Sequence, residues 1–203
     1  DVYKRQSYRS ERSEPYILSV GRICRIKRLD MMINALALTP GLRLKIVGVP
    51  DEPDALKFFK NEINKHDLDS RVDFLGRVSD SELIDLYARS MAVFYAPYNE
   101  DYGYVTLEAM ASGKPVITAV DSGGTLEFVQ DGYNGFITQP TPEAVAAVCN
   151  AMRDDRGLAE RIGAQGREFI ERAGIAESGW DRVIERLLSP LSTTGERGVA
   201  IGG

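Results

Sequence analysis

The sequence predicts an α/β fold with a doubly wound parallel sheet. Short apolar runs rich in β-formers alternate along the chain with segments of helical periodicity, which is the pattern of strand-helix-strand units. Apolar strands of this kind are typical of a sheet that helices cover on both faces. Ligands of such sheets bind beyond the carboxyl ends of the strands. The residues that follow each strand are therefore the first candidates for a binding site.

Six strands are predicted, most of them bounded by glycine or proline. They cover residues 16–20, 43–47, 72–75, 92–97, 116–118 and 135–138. Apolar residues at helical spacing predict the first helix: Leu29, Met32, Ile33 and Leu36. Further helices are predicted at residues 55–65, 79–87, 105–111, 141–152, about 158–172 and about 178–188, with a short one around Glu127 and Phe128. Ser79 and Glu82 have the spacing of a capping box at a helix start.

The composition is that of one globular domain. Of the 203 residues, 43% are hydrophobic and 27% are charged. The net charge of -5 argues against a broad nucleic-acid surface. Cys24 and Cys149 are far apart and predict reduced thiols in a cytoplasmic protein rather than a disulfide. No apolar run reaches membrane-spanning length.

The two ends of the chain are set apart from this domain. Residues 1–6 match the translation of a common transposon-end sequencing adapter, so we interpret them as a read-through scar, with a genuine polar arm as the alternative. Residues 7–14 predict a polar linker, and residues 190–203 predict a disordered tail. The predicted domain thus covers residues 15–189. The scar implies that an upstream part of the protein is missing.

The segment Glu100–Glu108 has the strongest functional signal in the chain. It lies between a predicted buried strand and a predicted helix, with Gly103 at the helix entrance. The amino end of a helix offers free N–H groups and partial positive charge, which suit a phosphate. Glu100 is in the loop and Glu108 is about two turns into the helix. Carboxylates so placed can hold hydroxyls at two ends of one ligand, with an anion between them.

This segment resembles the donor-binding signature of retaining GT-B glycosyltransferases, in particular the bacterial enzymes of family 4. The shared features are two glutamates with seven residues between them, a glycine among those seven, and Glu-Ala-Met-Ala-x-Gly-x-Pro-Val-Ile from Glu108. The resemblance covers roughly residues 16–188. It implies that the chain is a Rossmann-like domain, one half of a GT-B fold with extra C-terminal helices. Trp180 lies on the last predicted helix, which in the family crosses to the other half; packing on its own domain is the alternative.

A second motif follows the first strand, at Gly21-Arg22-Ile23-Cys24-Arg25-Ile26-Lys27. Arg22 and Lys27 can converge on a pyrophosphate, because arginine provides a planar donor fork and lysine a compact charge. The resemblance is to the family motif Gly-Arg…Lys-Gly, whose Arg and Lys contact the phosphates of the donor. Arg28 replaces the usual glycine after the lysine. A solvated basic turn is the alternative.

Three weaker motifs also match the family. Arg77 and Val78 follow Gly76 at a strand end, in a loop that in the family lies along the nucleotide base and contacts it through its main chain; an ordinary turn is the alternative. Gly123-Gly124 with Glu127 resembles an element near the donor, where small residues let the backbone approach a ligand closely. Residues 131–135 predict a plain turn. The single histidine, His66, predicts a surface residue, and no metal site is expected.

The resemblance implies a domain that binds a UDP-, GDP- or ADP-sugar for transfer to an acceptor with retention of configuration. Catalytic roles fall to Glu100, Arg22 and Lys27, and no cofactor is expected. Donor contacts are expected from Gly21, Arg77, Val78, Tyr102, Gly103, Tyr104, Val105 and Glu108. The missing N-terminal acceptor half is the expected partner, and peripheral membrane association would occur through it. The chain alone is expected to be inactive.

Two other functions stay open on the residues alone. One is a GT-B epimerase or phosphorylase-like enzyme, against which the paired glutamates argue. The other is a non-catalytic α/β module that binds partners through the edge of its sheet. Binding of a nucleoside diphosphate would separate the enzymes from the module.

Overall fold

The computed structural model describes residues 10–11 and 13–173 and contains a six-stranded sheet. Its strands are β1 Tyr16–Val20, β2 Arg43–Val47, β3 Val72–Gly76, β4 Ala92–Phe94, β5 Val116–Ala119 and β6 Gly135–Thr138. Their order in the sheet is β3-β2-β1-β4-β5-β6, and every neighbouring pair is parallel. The predicted doubly wound parallel sheet is confirmed.

Six α-helices connect and cover the strands. They are α1 Leu29–Ala37, α2 Ala55–Lys65, α3 Asp80–Arg89, α4 Tyr104–Ala111, α5 Pro142–Asp154 and α6 Arg156–Arg172. Two short 3-10 helices lie at Arg25–Lys27 and Gly124–Glu127. The predicted capping box is present at α3, where Ser79 and Glu82 satisfy each other's backbone N–H groups. The Thr141 hydroxyl caps α5 by accepting a hydrogen bond from the N–H of Ala144.

The helices pack on both faces of the sheet. Side chains alternate along each strand, so Ile17 and Leu18 of β1 belong to different core clusters. The cluster of Ile17 includes Phe59 of α2 and Cys149 of α5, whereas the cluster of Leu18 includes Tyr87 of α3. Helices α1, α2 and α5 thus cover one face, and α3, α4 and α6 cover the other.

The strand order places the binding crevice between β1 and β4. The chain adds β2 and β3 on one side of β1, and then returns to add β4, β5 and β6 on the other side. Loops that follow β1 and β4 therefore turn to opposite faces and leave a crevice at the carboxyl edge between them. Both strong sequence motifs lie in these two loops.

Apart from shifts of one or two residues at the ends of other elements, the main difference from the predicted elements is in β4. β4 ends at Phe94 instead of residue 97. The backbone N–H of Tyr95 still donates to the carbonyl of Ile117 at 2.9 Å, but Pro97 has no N–H with which to extend the strand pairing. Part of the predicted linker contacts the domain, since the N–H of Glu11 donates to Ala88 at 3.0 Å and Lys114 Nζ donates to the carbonyl of Glu11 at 3.0 Å. The predicted scar, the last helix with Trp180 and the tail lie outside the described residues.

Candidate functional site

Lys27, Tyr95 and Glu100 form a compact polar cluster in the crevice between β1 and β4. Lys27 Nζ contacts Glu100 Oε2 and lies 3.1 Å from the hydroxyl of Tyr95. The Tyr95 hydroxyl in turn donates to Glu100 Oε2 at 2.8 Å. The side chains of Lys27 and Glu100 are only 15% and 25% exposed. The two motifs are therefore joined, and Tyr95 is a member of the cluster that sequence analysis missed.

The cluster keeps Glu100 ionised. Burial by itself raises the pKa of Glu100, but the hydrogen bonds from Lys27 and Tyr95 outweigh it and hold the pKa below its usual value. Burial, together with the hydrogen bond to Glu100, raises the pKa of Tyr95 far above its usual value. The cluster of Lys27, Tyr95 and Glu100 thus contains a neutral phenol and an ionised carboxylate at neutral pH.

Glu108 is fixed by a buried tyrosine. It lies in the second turn of α4, and its Oε2 accepts a hydrogen bond of 2.7 Å from the hydroxyl of Tyr87. Tyr87 comes from α3 and is 0% exposed. Nothing in the sequence marked Tyr87, because it occupies an ordinary apolar position of its helix.

Gly103 allows the loop after β4 to enter α4 at close range. Its φ of 77° is in the left-handed region, and a Cβ there would lie 2.9 Å from Thr125 Oγ1. Tyr104 begins the helix and is 44% exposed, while Val105 and Tyr102 are half-buried. The rings of Tyr102 and Tyr104 lie 4.5 Å apart at the mouth of the crevice.

Gly123 and Gly124 allow the loop after β5 to pack closely on the loop after β4, and their predicted approach to a ligand stays a prediction. A Cβ on Gly123 would lie 2.5 Å from the carbonyl oxygen of Glu100, and one on Gly124 would lie 2.3 Å from that of Asp101. The N–H of Gly124 donates to the backbone carbonyl of Glu100 at 2.7 Å. Because these two glycines have no Cβ, the backbone of Glu100–Asp101 can pack directly against them. Glu127, the third residue of this element, is exposed.

Arg22 lies on the rim of the site rather than inside it. Its side chain is 68% exposed and pairs with Asp51, at 2.5 Å between Nη1 and Oδ2. In the structure Arg22 pairs with Asp51 and Lys27 pairs with Glu100, so convergence of Arg22 and Lys27 on a pyrophosphate stays a prediction.

Three glycines form the floor of the site at consecutive strand ends. Gly21, Gly48 and Gly76 all have positive φ, and a Cβ on Gly48 would lie 1.8 Å from the carbonyl oxygen of Gly21. The N–H of Gly48 donates to Gly76 at 2.9 Å. Arg77 is exposed and Val78 is half-buried directly after this floor, in the predicted base-side loop.

The remaining predictions concern residues away from the crevice. His66 was expected at the surface, but it is half-buried, and its Nε2 lies 2.7 Å from Asn34 Oδ1 of α1. Residues 131–135 form the predicted turn, with Gly132 N–H donating to Gly135 at 2.9 Å. Cys24 and Cys149 are both free and buried.

Within residues 10–11 and 13–173, no group of three His, Cys, Asp or Glu side chains could hold a metal ion. None of the helices in those residues is long and apolar enough to cross a membrane.

Comparison with known families agrees with this geometry. Residues 3–169 match the sequence model of the family described as glycosyl transferases group 1. The chain belongs to this family. All the site loops described above lie inside the matched region.

Relatives within the glycosyl transferases group 1 family are sugar transferases. The chain is 34% identical to the D-inositol 3-phosphate glycosyltransferase of Nocardia farcinica, over 88% of this chain and 40% of that protein. It is 32% identical to the human alpha-1,3/1,6-mannosyltransferase ALG2, over 76% of this chain and 40% of that protein. The chain thus spans about two fifths of the length of these curated relatives.

A solved structure shares the fold. Anabaena HepE, crystallised in complex with UDP and glucose, superimposes with a TM-score of 0.75 at 28% identity, over 87% of this chain and 49% of that one. The Rossmann-like α/β fold of this chain matches GT-B glycosyltransferases of this kind.

Proposed function

We propose that this chain is the nucleotide-sugar-binding domain of a retaining glycosyltransferase of family 4. The observation that carries the proposal is the meeting of Lys27 and Glu100 at the crevice between β1 and β4. Family membership and the UDP complexes of a structural relative support it.

Four charged side chains of the site have roles in this proposal. Lys27 and the amino end of α4 stabilise the negative charge that develops on the leaving nucleoside diphosphate. Arg22 adds its charge from the rim when it exchanges Asp51 for a phosphate. Glu100 holds the sugar, with its anomeric carbon towards the acceptor. Glu108, oriented by Tyr87, binds the ribose hydroxyls.

The proposal requires an exchange of partners when the donor binds. In the free chain, Lys27 Nζ is bonded to the carboxylate of Glu100. A diphosphate that binds Lys27 therefore has to replace Glu100 as the partner of Nζ. The same step frees Glu100 to accept hydroxyls of the sugar. Because Lys27 and the end of α4 offset the phosphate charge, the proposal needs no metal.

A second domain completes the site in this proposal. The crevice is one wall of a cleft, and one wall neither positions an acceptor nor excludes water. The chain spans less than half of its relatives, which supports an acceptor-binding half elsewhere in the protein. A cytoplasmic location, and membrane contact through that other half, remain predictions.

Calorimetric titration with UDP, GDP, ADP and their glucose or mannose conjugates tests the proposal. One nucleoside diphosphate is expected to bind saturably. Failure of all three to bind would favour the non-catalytic module. With the complete enzyme, sugar transfer with the donor's anomeric configuration is expected, whereas an epimerised nucleotide-sugar formed without acceptor would favour the epimerase.

A further inference from the structure

Arg28 has a backbone conformation that arginine rarely adopts. Its φ and ψ are 52° and 40°, in the left-handed region that favours glycine. The related motif carries glycine at this position, directly after the lysine. An arginine that stays here needs side-chain contacts that offset the backbone strain.

The guanidinium of Arg28 supplies those contacts by joining three loops. Its Nη1 and Nη2 donate to the two carboxylate oxygens of Asp121, after β5, at 2.9 and 2.7 Å. Its Nε and Nη2 donate to the carbonyls of Ala96 and Pro97, after β4, at 2.7 and 2.9 Å. The side chain is 18% exposed and that of Asp121 is 34% exposed, so the pair is largely shielded from water.

The segment Asp121–Ser122, which Arg28 contacts, also supports the backbone of Asn99 and Glu100. The N–H of Asn99 donates to the carbonyl of Asp121 at 3.0 Å, and the N–H of Glu100 donates to that of Ser122 at 3.2 Å. Lys27 precedes Arg28 in the chain. A continuous set of contacts therefore runs from Lys27 through Arg28 and Asp121 to Glu100.

We propose that Arg28 is a positioning residue for donor binding, which through Asp121 fixes Lys27 and Glu100 relative to each other across the crevice. This inference rests on the proposed function. Fixing the two loops in advance lowers the entropy lost when a diphosphate and its sugar bind between them.

Arg28 acts through its neighbours and does not bind the phosphate itself. Of its five N–H groups, four are committed to Asp121, Ala96 and Pro97. The carboxylate of Asp121 offsets its charge, and the hydrogen bonds from Arg28 hold the pKa of Asp121 below its usual value.

The test compares variants of the 203-residue chain by calorimetry, with whichever of UDP, GDP and ADP binds the wild type most tightly. Asp121→Asn removes the two-pronged ion pair while it keeps the side-chain shape. Arg28→Gly removes the side chain and relieves the backbone. Asp73→Asn is the matched control, since Asp73 accepts from Arg43 on β2, away from the crevice. We expect about tenfold weaker binding for both crevice variants and unchanged binding for the control.

A double-mutant cycle with Lys27→Ala separates positioning from a general loss of structure. If Arg28 acts through Lys27, Asp121→Asn costs little further affinity once Lys27 is gone. Unchanged affinity in both crevice variants would overturn the inference alone, as would fully additive losses in the cycle. A wild type that binds none of the three nucleotides would overturn the proposed function and this inference with it. Should Arg28→Gly fail to fold, Asp121→Asn still decides between these outcomes.

Discussion

Lys27 and Glu100 form an ion pair across the crevice although 73 positions separate them in the chain. The parallel sheet brings their loops to the same edge, and Tyr95 bonds to both side chains. In the free protein, the residue proposed to bind the phosphates, Lys27, is therefore paired with the residue proposed to bind the sugar, Glu100.

The first prediction concerns Lys27. Lys27→Ala should weaken binding of the nucleoside diphosphate by roughly 1.5–3 kcal/mol, the range for hydrogen bonds to charged groups. The variant also leaves the Glu100 carboxylate facing the phosphates, so Lys27→Ala with Glu100→Gln should recover part of the loss. Lys65→Ala, at the exposed end of α2, is the control. Equal calorimetric affinity for wild type and Lys27→Ala would remove Lys27 from the site.

The second prediction concerns Glu108. Glu108→Gln should weaken nucleoside diphosphate binding by roughly 1.5–3 kcal/mol and leave pyrophosphate binding unchanged, because only the former ligand has a ribose. Tyr87→Phe should have the same selectivity with a smaller loss of about 1 kcal/mol, since it removes only the bond that orients Glu108. Equal losses for both ligands would mean that Glu108 acts through the fold.

The third prediction compares two glycines with similar φ, of which Gly123 also has a ψ of -132°, outside the left-handed region. Gly123 and Gly132 have φ of 67° and 69°, but only Gly123 has atoms in the way of a Cβ. Gly132→Ala should cost about 1 kcal/mol of stability from backbone strain alone. Gly123→Ala should cost about 1–3 kcal/mol more, because its Cβ must displace the backbone of Glu100.

Urea unfolding of both variants measures the stability difference. The displaced Glu100 should also weaken binding of the nucleotide-sugar more than that of the nucleoside diphosphate. Equal destabilisation in the two variants would show that Glu100 shifts without cost.

The fourth prediction concerns the pH dependence of stability. Lys114 is 2% exposed, and burial lowers its pKa to about 8 from 10.5, partly opposed by Glu160 and Glu11. Between pH 8 and 10.5 the folded protein releases this proton before the unfolded chain does, so the unfolded chain binds more protons and stability rises with pH. Below pH 8 the buried charge is present in full and its destabilising effect is largest.

Lys114→Met removes this titration. The free energy of unfolding of the wild type, relative to Lys114→Met, should rise by roughly 2–3 kcal/mol from pH 7.5 to 10.5. Lys65→Met, which alters an exposed lysine, should show no such change. A constant difference between wild type and Lys114→Met across this window would mean that Lys114 has an ordinary pKa in the folded protein.

The fifth prediction is that this chain alone transfers no sugar. In the proposed function the crevice supplies groups for the donor, and the residues that the structure describes form a single wall, which does not by itself hold an acceptor oxygen in place. Incubation of the purified chain with UDP- and GDP-sugars and a broad acceptor panel should yield no glycoside, with a full-length relative as the positive control. Robust transfer by the chain alone would contradict the proposal that a second domain completes the site.

Local patterns determined most of the fold. The bounds predicted for β1, β2, β6 and α2 match the structure to the residue, because apolar periodicity and bordering glycines are properties of neighbouring residues. The site loops were also predictable, since parallel strands place their carboxyl ends at one edge. The sequence by itself thus determined which segments form the crevice.

Only the tertiary structure decided which side chains meet there. Tyr87 orients Glu108 from another helix, Gly123 makes room for Glu100, and Arg28 joins three loops, all across 20 or more positions. His66 was misplaced for the same reason, since its partner Asn34 lies about 30 positions away. Such contacts depend on how the strands are ordered in the sheet, and a local pattern of residues carries no information on that order.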